Sequence, residues 1–331
     1  MHLSDHSNKV SLPKHFVTSE KTKHHAQILS NRVLKNFRHF AKRFKRQDID
    51  CFRLYDWDIP EVRAVVDWYA GHVVVAEYER LQTGPEWLSE MAAAVAQVLN
   101  VPQNHTHVKR RRTKTEEGLR YSKMSSRGER FTVRERDLRF WVNLEDFLDT
   151  GLYSDHRDTR VIVKELARDK DFLNLFAYTG SFTCATAVGG AKTSVTVDRS
   201  DTNLKWAQDN LELNGFLTSK HTLIQLDINK FLAQAAQEGR RFTLAFVDPP
   251  SFFQDLTKGV SFDVNLDHPD LIRNVLKVMA PGATVFFSTN HQRFEPNLEG
   301  LPVKDLIELT PKTIPEDYRN RKVHRCWRMT V

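Results

Sequence analysis

Apolar residues recur at helical spacing near the start of the chain and then give way to shorter patterns. Val33, Phe37 and Phe44 fall on one face of a helix with 3.6 residues per turn, and most residues between them are polar or basic. This pattern predicts an amphipathic helix over residues 26–48. Residues 1–25 are polar, rich in histidine and without a period, so we expect them to form a mobile arm.

Residues 49–143 carry short strand-like runs and one helical run, and they predict a small α+β domain. Pro85 opens the helical run, which ends at Asn100 and Pro102. The predicted strands are rich in β-branched and aromatic residues and are bounded by turn residues. They are Cys51–Tyr55, Val62–Tyr69, His72–Tyr78, Thr106–Arg111, Phe131–Glu135 and Leu138–Val142.

From residue 144 onward, strand-like runs alternate with helical runs. The predicted strands are Asp171–Tyr178, Ser194–Asp198, Thr222–Asp227, Thr243–Asp248, Ala283–Thr289 and His324–Val331. Helices are predicted to begin at Thr179, to span Asp201–Leu213 and His268–Met279, and to end at Gln237. Such alternation predicts an α/β fold with a doubly wound, mainly parallel sheet, whose ligands bind at the carboxyl ends of the strands.

Composition places the chain among ordinary globular proteins. The 331 residues are 40% hydrophobic and 27% charged, which excludes a mainly disordered or fibrous chain. No apolar run approaches the roughly 20 residues that a membrane helix needs, and the start of the chain has no apolar stretch typical of a signal peptide. Cys51, Cys184 and Cys326 are too few and too widely spaced for a disulfide framework or a zinc site. We therefore expect a cytoplasmic protein without a bound metal.

The net charge of +7 is concentrated in two basic clusters in the first half of the chain. Residues 31–46 hold seven basic residues and no acidic one, with phenylalanines between them, and residues 108–114 read VKRRRTK. Such clusters favour a phosphate-rich partner, although a solvated basic face would show the same charge. We therefore expect 49–143 to be an RNA-binding or substrate domain. The residues expected to bind RNA are Arg32, Lys35, Arg38, Lys42, Arg43, Lys109, Arg110 and Arg111.

Acidic residues end three of the predicted strands of the large sheet. The first strand ends in NLFAYTGSF, which has Gly180 but lacks the G-x-G-x-x-G spacing of a dinucleotide site. Asp198 ends the second strand, where a carboxylate can accept from ribose hydroxyls, and Asp227 ends the third, near an adenine edge. S-adenosylmethionine fits this set because it combines adenosine with a cationic sulfonium and has no phosphate. Each aspartate could instead cap the helix that follows it.

The fourth predicted strand ends in Asp248, Pro249 and Pro250, and Phe252 follows two residues later. The two prolines restrict the backbone to an extended turn directly after a carboxylate. Such a turn can hold one side chain rigidly beside a methyl donor while Phe252 stacks on the acceptor ring. Either Phe252 or Phe253 could instead be an ordinary core residue.

Several motifs in a fixed order resemble a known family. NLFAYTGSFT, TVDRS, LNG and FVDPPSF, with FRLYDWDIPE before them and RNRKVHRCW after them, are similar to motifs of bacterial 23S rRNA methyltransferases of the RlmK/RlmI type. The resemblance runs from about Asn31 to the end of the chain and is greatest to the guanine-N7 half of a bifunctional enzyme. It implies a class I, Rossmann-like methyltransferase domain over residues 144–331 that uses S-adenosylmethionine.

The resemblance also bears on which residues act. It implies that Thr150–Arg157 (TGLYSDHR) closes over the cofactor. The expected cofactor contacts are Tyr153, Arg157, Asn174, Phe176, Ala177, Tyr178, Thr179, Gly180, Asp198 and Asp227. The expected catalytic group is Asp248, Pro249, Pro250 and Phe252, and Arg319, Arg321 and Lys322 join the residues expected to bind RNA.

The cysteines bear on which base is methylated. Methylation at cytosine C5 requires a cysteine thiolate that adds to C6, and the cytosine members of the family carry it just after the fifth strand. Here that stretch reads FFSTNHQRF, without a cysteine. Guanine N7 has an accessible lone pair and requires only orientation and stabilisation of the cation that forms. The sequence therefore favours a 23S rRNA (guanine-N7)-methyltransferase.

Three other functions stay open at this point. A cytosine-C5 enzyme would use Cys326, a guanine-N2 enzyme is suggested by the Asp-Pro-Pro turn, and an assembly factor would bind rRNA without catalysis. The resembled bifunctional enzyme carries an upstream RNA-binding THUMP module and a guanine-N2 methyltransferase. We therefore expect this chain to be free-standing, with helix 26–48 in place of that module. The expected partners are 23S rRNA or a large-subunit precursor and, functionally, a separate guanine-N2 enzyme.

Overall fold

The N-terminal helix starts earlier than its apolar stripe predicts. The computed structural model describes residues 19–78, 84, 86–111, 125, 128–255 and 260–331. Helix α1 (Glu20–Lys45) begins where Ser19 Oγ accepts the backbone N–H of Thr22 at 3.1 Å, a cap that satisfies a free donor of the first turn. The helix therefore includes the last residues of the predicted arm and ends before the predicted range 26–48 does. Residues 1–18 of that arm lie outside the described residues.

A four-stranded sheet follows α1, in the order β1-β2-β3-β4. Its strands are β1 (Cys51–Asp56), β2 (Ala64–Tyr69), β3 (His72–Tyr78) and β4 (Thr106–Arg111), with helix α2 (Trp87–Leu99) before β4. Side chains alternate between the two faces of a strand. Phe52, Leu54 and Val66 pack in one apolar cluster with α1 and α2, whereas Arg53 and Asp67 line a cavity on the opposite face. The small domain thus has a helix-covered face and a cavity face.

A hairpin of β5 (Phe131–Glu135) and β6 (Leu138–Val142) connects the small sheet to the second half of the chain. Its Phe140 is buried in an apolar cluster that contains residues of the small sheet and also Leu211 of a later helix. The hairpin, which the sequence places in the domain 49–143, therefore shares a core with both halves.

The second half forms a seven-stranded sheet within the described residues, which confirms the predicted α/β fold. The order is β14-β15-β13-β10-β7-β8-β9, and β15 runs antiparallel to both of its neighbours while β7 to β10 and β13 are parallel. Its strands are β7 (Asp171–Leu175), β8 (Thr193–Asp198), β9 (His221–Gln225), β10 (Phe242–Val247), β13 (Met279–Thr289), β14 (Asp305–Glu308) and β15 (Arg325–Thr330). The order reverses between β7 and β10, which opens a crevice at their carboxyl ends.

Helices cover both faces of this sheet. Leu173 and Val247 pack on one face with helices α6 and α7, and Phe172 and Phe246 pack on the other with α3 and α4. The helices are α3 (Arg157–Glu165), α4 (Ser181–Val188), α5 (Asp201–Leu213), α6 (Ile228–Gln237), α7 (Val264–Leu276) and α8 (Thr310–Thr313). Among the described residues, no helix is long and apolar enough to cross a membrane.

Several elements of the second half differ from the sequence prediction, and the helices α3 and α8 were among those not predicted. Helix α7 begins at Val264 rather than at His268, because Asp263 Oδ1 accepts the N–H of Asn265 at 2.9 Å and caps a polar first turn. A hairpin of β11 (Phe252–Asp255) and β12 (Val260–Asp263) follows the fourth parallel strand. The edge strand β14 was not predicted either, because all its side chains are exposed and no apolar alternation marks it.

Candidate active site

A cavity of about 1220 Å³ lies at the carboxyl edge of the parallel strands. The loops after β7, β8 and β10 form one side, and the cavity face of the small sheet, including Arg53 and Asp67, forms the opposite wall. Most residues between 149 and 156 line the space between these two sides. The cavity therefore lies where doubly wound sheets bind their ligands and is bounded by a second domain.

The loop after β7 has an uncommon backbone conformation. Phe176 and Tyr178 have positive φ angles of 55° and 50°, which cost non-glycine residues energy and cluster at functional sites. The Tyr178 N–H donates to Asp198 Oδ2 at 2.9 Å, and the Tyr178 hydroxyl accepts from the Gly151 N–H at 3.0 Å. Gly180 has a φ of 71°, and a Cβ there would lie 2.7 Å from a side chain of α5. The loop is therefore fixed before any ligand binds.

Asp198, at the end of β8, is buried and lines the cavity. Besides the Tyr178 N–H, its carboxylate accepts the N–H of Ser200 at 2.9 Å and the side-chain amide of Asn203 at 3.2 Å. Burial raises the pKa of Asp198 above its ordinary value, and the N–H donors oppose this shift. The side-chain cap of α5 is Ser200 Oγ, so the helix-cap interpretation is wrong for Asp198.

Asp227 both caps a helix and lines the cavity. Its Oδ1 accepts the backbone N–H groups of Asn229 and Lys230 at 3.1 and 3.2 Å, which starts α6. Its Oδ2 lies 3.9 Å from Nε of Arg199, another residue of the cavity wall. The two interpretations of Asp227 from the sequence are therefore compatible.

Most of the predicted cofactor residues meet in the cavity wall. They are Tyr153, Asn174, Phe176, Ala177, Tyr178, Asp198 and Asp227. Thr179 and Gly180 do not line the cavity, and Thr179 is buried with its hydroxyl donating to the Gly151 carbonyl at 2.6 Å. These two residues shape the loop from behind instead.

Arg157 contradicts its predicted role as a cofactor contact. Its side chain is 1% exposed and lies outside the cavity wall. It forms a buried ion pair with Asp317, donates to the Cys51 carbonyl at 3.1 Å and lies over the Phe44 ring, with Cζ 4.7 Å from the centroid. Arg157 therefore ties the small domain to the second half of the chain, because buried guanidinium groups need charged partners.

The Asp-Pro-Pro turn lies at the cavity as predicted, but its aromatic neighbour differs. Asp248, Pro249 and Pro250 line the cavity, whereas Phe252 is 47% exposed and lies outside it. Phe253 lines the cavity instead, with Arg199 Cζ 3.8 Å from its ring centroid. Successive strand residues point to opposite faces, so only one of the two phenylalanines can face the cavity. A stacking role for Phe252 is therefore not supported.

A buried cluster next to Asp248 was missed by the sequence analysis. Nε2 of His156 lies 3.5 Å from Asp248 Oδ2, and His324 Nδ1 lies 3.0 Å from Asp155 Oδ2. Burial lowers the pKa of His156, but the Asp155 and Asp248 carboxylates outweigh burial, so the pKa is raised above its ordinary value. The motifs TGLYSDHR and RNRKVHRCW contain three of the four residues, but their spacing in sequence does not reveal that they meet.

Three residues of the same cluster are, among the described residues, close enough together to hold a metal ion. One ligand atom each of Asp155, His156 and His324 lies within 4.8 Å of the others. In this cluster, His324 is hydrogen-bonded to Asp155 at 3.0 Å, and the two imidazole rings stack with 4.1 Å between their centroids. These residues therefore form a hydrogen-bonded cluster.

All three cysteines of the chain are buried, and none lines the cavity. Burial raises the pKa of Cys184 to about 12 and raises that of Cys51 and Cys326 as well. A thiol in such surroundings stays protonated and is inert as a nucleophile.

Three basic residues of α1, Lys35, Arg38 and Lys42, are exposed as predicted. Arg32 lies 3.8 Å from an Asp58 carboxylate oxygen, and Arg43 forms an ion pair of 2.7 Å with Glu316. These residues lie on the helix-covered side of the small sheet, so a sheet layer separates them from the cavity.

Within the second basic cluster, Lys109 is not available for the expected contact with RNA. Lys109 is 5% exposed, and its ammonium donates to the backbone carbonyls of Phe147 and Leu148 at 2.8 and 3.0 Å. Arg110 pairs with Glu77 at 3.2 Å. The side chain of Arg111 lies outside the described residues. Lys109 therefore supports the segment beside the cavity rather than a surface.

The predicted basic residues near the C-terminus lie at the mouth of the cavity. Tyr318, Asn320 and Val323 line it, and Arg319, Arg321 and Lys322 are exposed between them. The guanidinium of Arg319 donates to the Asp58 carbonyl, and that of Arg321 to the Ile314 carbonyl at 3.2 Å. Residues 318–323, called the C-terminal segment below, thus join the small domain to the cavity rim.

Comparison with known proteins confirms the resemblance stated from the motifs. The profile of a family described as S-adenosylmethionine-dependent methyltransferase matches residues 55–303. The chain is 41% identical over 307 residues to the protein named "Ribosomal RNA large subunit methyltransferase K" from Neisseria meningitidis serogroup B. That similarity covers 90% of this chain and 85% of the relative.

Solved structures agree on the fold. A protein described as a methyltransferase and solved in complex with SAH superposes with a TM-score of 0.75 at 21% identity, over 95% of this chain and 83% of that one. A SAM-dependent methyltransferase from Agrobacterium tumefaciens superposes with a TM-score of 0.61 at 17% identity, over 86% of this chain and 90% of that one. Both likenesses include the small domain as well as the seven-stranded sheet.

Proposed function

Since this chain belongs to the S-adenosylmethionine-dependent methyltransferase family, we propose that it methylates guanine N7 in large-subunit ribosomal RNA. The name of the relative that shares 41% identity supports ribosomal RNA as the substrate. The observation that carries the choice of base is the make-up of the cavity wall, which holds Asp248 and its two prolines but no thiol.

The residues of the cavity suit S-adenosylmethionine, the cofactor of this family. Asp198 and Asp227 bring carboxylates to the ends of adjacent strands, and Phe176 and Tyr178 add aromatic surface. Carboxylates suit ribose hydroxyls, an adenine amine and a cationic sulfonium, whereas a phosphate would call for glycine-rich backbone. When bound, the cofactor supplies a methyl group on a positively charged sulfur.

Guanine N7 needs little chemical help from the protein. Its lone pair lies in the ring plane and carries no proton, so a base is not required before the methyl group is accepted. The purine becomes a cation as the carbon–sulfur bond breaks and the N7–carbon bond forms. Asp248 accepts from the guanine N–H edge and stabilises this positive charge. Pro249 and Pro250 hold that carboxylate at the cavity and thereby align the two reacting atoms.

Cytosine C5 is a poor fit for the same cavity. That reaction requires a thiolate at the base, yet Cys326 is fully buried and its raised pKa keeps it protonated. An Asp-Pro-Pro turn suits methylation at either the exocyclic amine N2 or the ring nitrogen N7 of guanine. Analysis of the methylated product therefore distinguishes these two positions.

We assign RNA binding to the exposed basic residues of α1 and of the C-terminal segment. The Arg43–Glu316 ion pair joins the end of α1 to the chain just before the C-terminal segment, which borders the cavity. Exposed Lys35, Arg38 and Lys42 extend this set of basic residues away from the cavity. A flanking RNA helix would contact α1 while an unpaired guanosine enters the cavity.

The experiment identifies the methylated nucleoside. Purified protein is incubated with S-adenosylmethionine and 23S rRNA from cells that lack the gene, and the digested RNA is analysed by mass spectrometry. We expect new 7-methylguanosine. Formation of 5-methylcytidine would overturn the choice of base, and N2-methylguanosine would overturn the choice of position on guanine. Asp248→Asn should lose the product while still binding the cofactor. Asp270→Asn, on an exposed turn of α7 beside Arg273, serves as the matched control and should keep it.

A further inference from the structure

We infer that His156 is a positioning residue that holds Asp248 in place for methyl transfer, braced from behind by Asp155 and His324. The inference rests on the proposed role of Asp248 at the guanine and adds a set of residues behind it. These residues come from two distant parts of the chain, the segment before α3 and the segment before β15.

The imidazole of His156 lies among acceptors. Its Nε2 is 3.5 Å from Asp248 Oδ2 and 3.9 Å from Asp155 Oδ2. Its Nδ1 lies 3.3 Å from Thr159 Oγ1, at the start of α3. A protonated imidazole carries a hydrogen on each nitrogen, so it can donate on both sides of the ring. A neutral ring with its hydrogen on Nε2 fits these contacts as well, because the Thr159 hydroxyl can donate to Nδ1, so the surrounding charges decide the protonation state.

His324 holds Asp155 from the other side. Its Nδ1 lies 3.0 Å from Asp155 Oδ2, and its Nε2 lies 3.0 Å from Thr313 Oγ1. A neutral ring with its hydrogen on Nδ1 donates to Asp155. The ring also stacks on His156 with 4.1 Å between centroids, and both side chains are buried. Asp155 and His156 are thereby fixed in one arrangement.

The charged groups around His156 favour its protonated form. Four groups face it: Asp155, Asp248, His324 and Arg160. Burial and the Arg160 guanidinium disfavour the imidazolium, but the two carboxylates outweigh them and raise the His156 pKa. Burial, together with the charge on His156, lowers the pKa of His324, which keeps that ring neutral. The cluster thus contains the carboxylates of Asp155 and Asp248, with the His156 imidazolium between them.

This arrangement orients the reacting carboxylate. An imidazolium at Oδ2 restrains rotation of the Asp248 side chain and leaves Oδ1 to accept from the guanine edge. Methyl transfer depends on alignment, and a displacement of about 1 Å at a reacting group can cost on the order of 100-fold in rate.

A purely structural histidine is the alternative. His156 packs edge-on against Phe182 and Phe246, with centroids 5.7 and 5.8 Å away, and such a buried site would also suit a ring that only fills space. His156 nevertheless lines the cavity and contacts Asp248, which a space-filling ring would not require. The test must therefore report on the contact itself.

The first measurement separates rate from binding. His156→Gln keeps a similar size and an N–H donor but removes the positive charge. We expect its single-turnover rate of 7-methylguanosine formation to fall about 10- to 100-fold, with cofactor affinity by calorimetry within about twofold of the wild type. His221→Gln alters a histidine bonded to Ser194 Oγ at 2.8 Å on β9, away from Asp248, and should leave the rate unchanged. A full rate in folded His156→Gln would overturn the inference.

The second measurement does not depend on activity. The imidazole of His156 is titrated by NMR in histidine-labelled wild-type protein and in Asp248→Asn. Loss of the Asp248 charge should lower the measured His156 pKa, because one of the two carboxylates that stabilise the imidazolium is gone. An identical titration in both proteins would overturn the inference, even if His156→Gln itself failed to fold.

The two proposals fail in different ways. If the wild-type protein makes another methylated nucleoside, the choice of guanine N7 is wrong, and the His156→Gln rate is scored on that product. If 7-methylguanosine forms but neither the rate nor the titration depends on the His156–Asp248 contact, only the inference about His156 is wrong.

Discussion

Two charged regions of this molecule differ in how their charges are satisfied. Beside and behind the cavity, some charged side chains are buried and partnered: Asp198 accepts three N–H donors, and Arg157 pairs with Asp317. On the outer face of α1, Lys35, Arg38 and Lys42 extend into solvent. The buried side chains near the cavity are held in one arrangement, whereas the exposed side chains of α1 can adapt to a partner.

The difference teaches what each kind of charge can do. A buried charge is costly unless it is hydrogen-bonded and paired, so it also fixes the position of its neighbours. Such a region suits alignment of a cofactor and a base. Exposed charges carry little desolvation cost and do not fix the position of their neighbours. They can attract phosphates over a distance that the salt concentration sets.

The strongest test of this contrast removes one buried partner. Arg157→Met leaves Asp317 buried without its cation and should lower the free energy of unfolding by about 3–5 kcal/mol. Arg134→Met removes an exposed partner of Asp48 and should change it by about 1 kcal/mol at most. Urea unfolding of both variants measures the difference. Equal effects would mean that burial does not distinguish these ion pairs.

A second test compares the two aspartates at the strand ends. Asp198→Asn removes a charge beside the cofactor site and should weaken S-adenosylmethionine binding by about 1.5–3 kcal/mol, the range for a hydrogen bond to a charged group. Asp227→Asn retains an equally good helix cap and should cost less. Calorimetry with folded variants decides, and a larger loss for Asp227→Asn would reverse the roles assigned to the two residues.

A third test addresses the exposed region. Replacing Lys35, Arg38 and Lys42 together by alanine should weaken rRNA binding and reduce the slope of log K against log salt by up to about 2 to 3, since each phosphate contact contributes about 0.7 to 0.9. Cofactor affinity should not change. The matched control replaces Lys170, Lys220 and Lys277, which are exposed near the amino ends of strands. A similar loss in the control would show that α1 has no special role.

The smallest effect is expected at Cys326. Cys326→Ser alters a fully buried thiol on β15, so the rate and product of methylation should be those of the wild type. Mass spectrometry of the digested RNA measures both. Loss of activity in a folded Cys326→Ser protein would instead point to thiolate chemistry.

Local patterns predicted most of the fold. The parallel strands and their helices were found because alternation and apolar runs are visible within short windows of sequence. The exposed strand β14 and the first turn of α7 lack an apolar pattern, so they escaped the prediction. Phe252 was preferred over Phe253 because the strand that separates their directions was not predicted.

The candidate site was predicted in part for the same reason. Asp198, Asp227 and Asp248 lie at or just after the ends of strands, and the carboxyl ends of parallel strands meet at one edge of a sheet. Lys109 was misassigned because a basic run in sequence does not reveal which of its members turns inward.

The sequence by itself determined which residues end the strands and which motifs surround them, because these are properties of neighbouring positions. Only the tertiary structure decided how Asp155, His156 and Arg157 divide their tasks. His156 meets Asp248 at the cavity, while Arg157, the next residue, turns away to Asp317. Their partners lie far away in the chain, and contacts of that kind depend on how distant segments pack in three dimensions rather than on any local pattern.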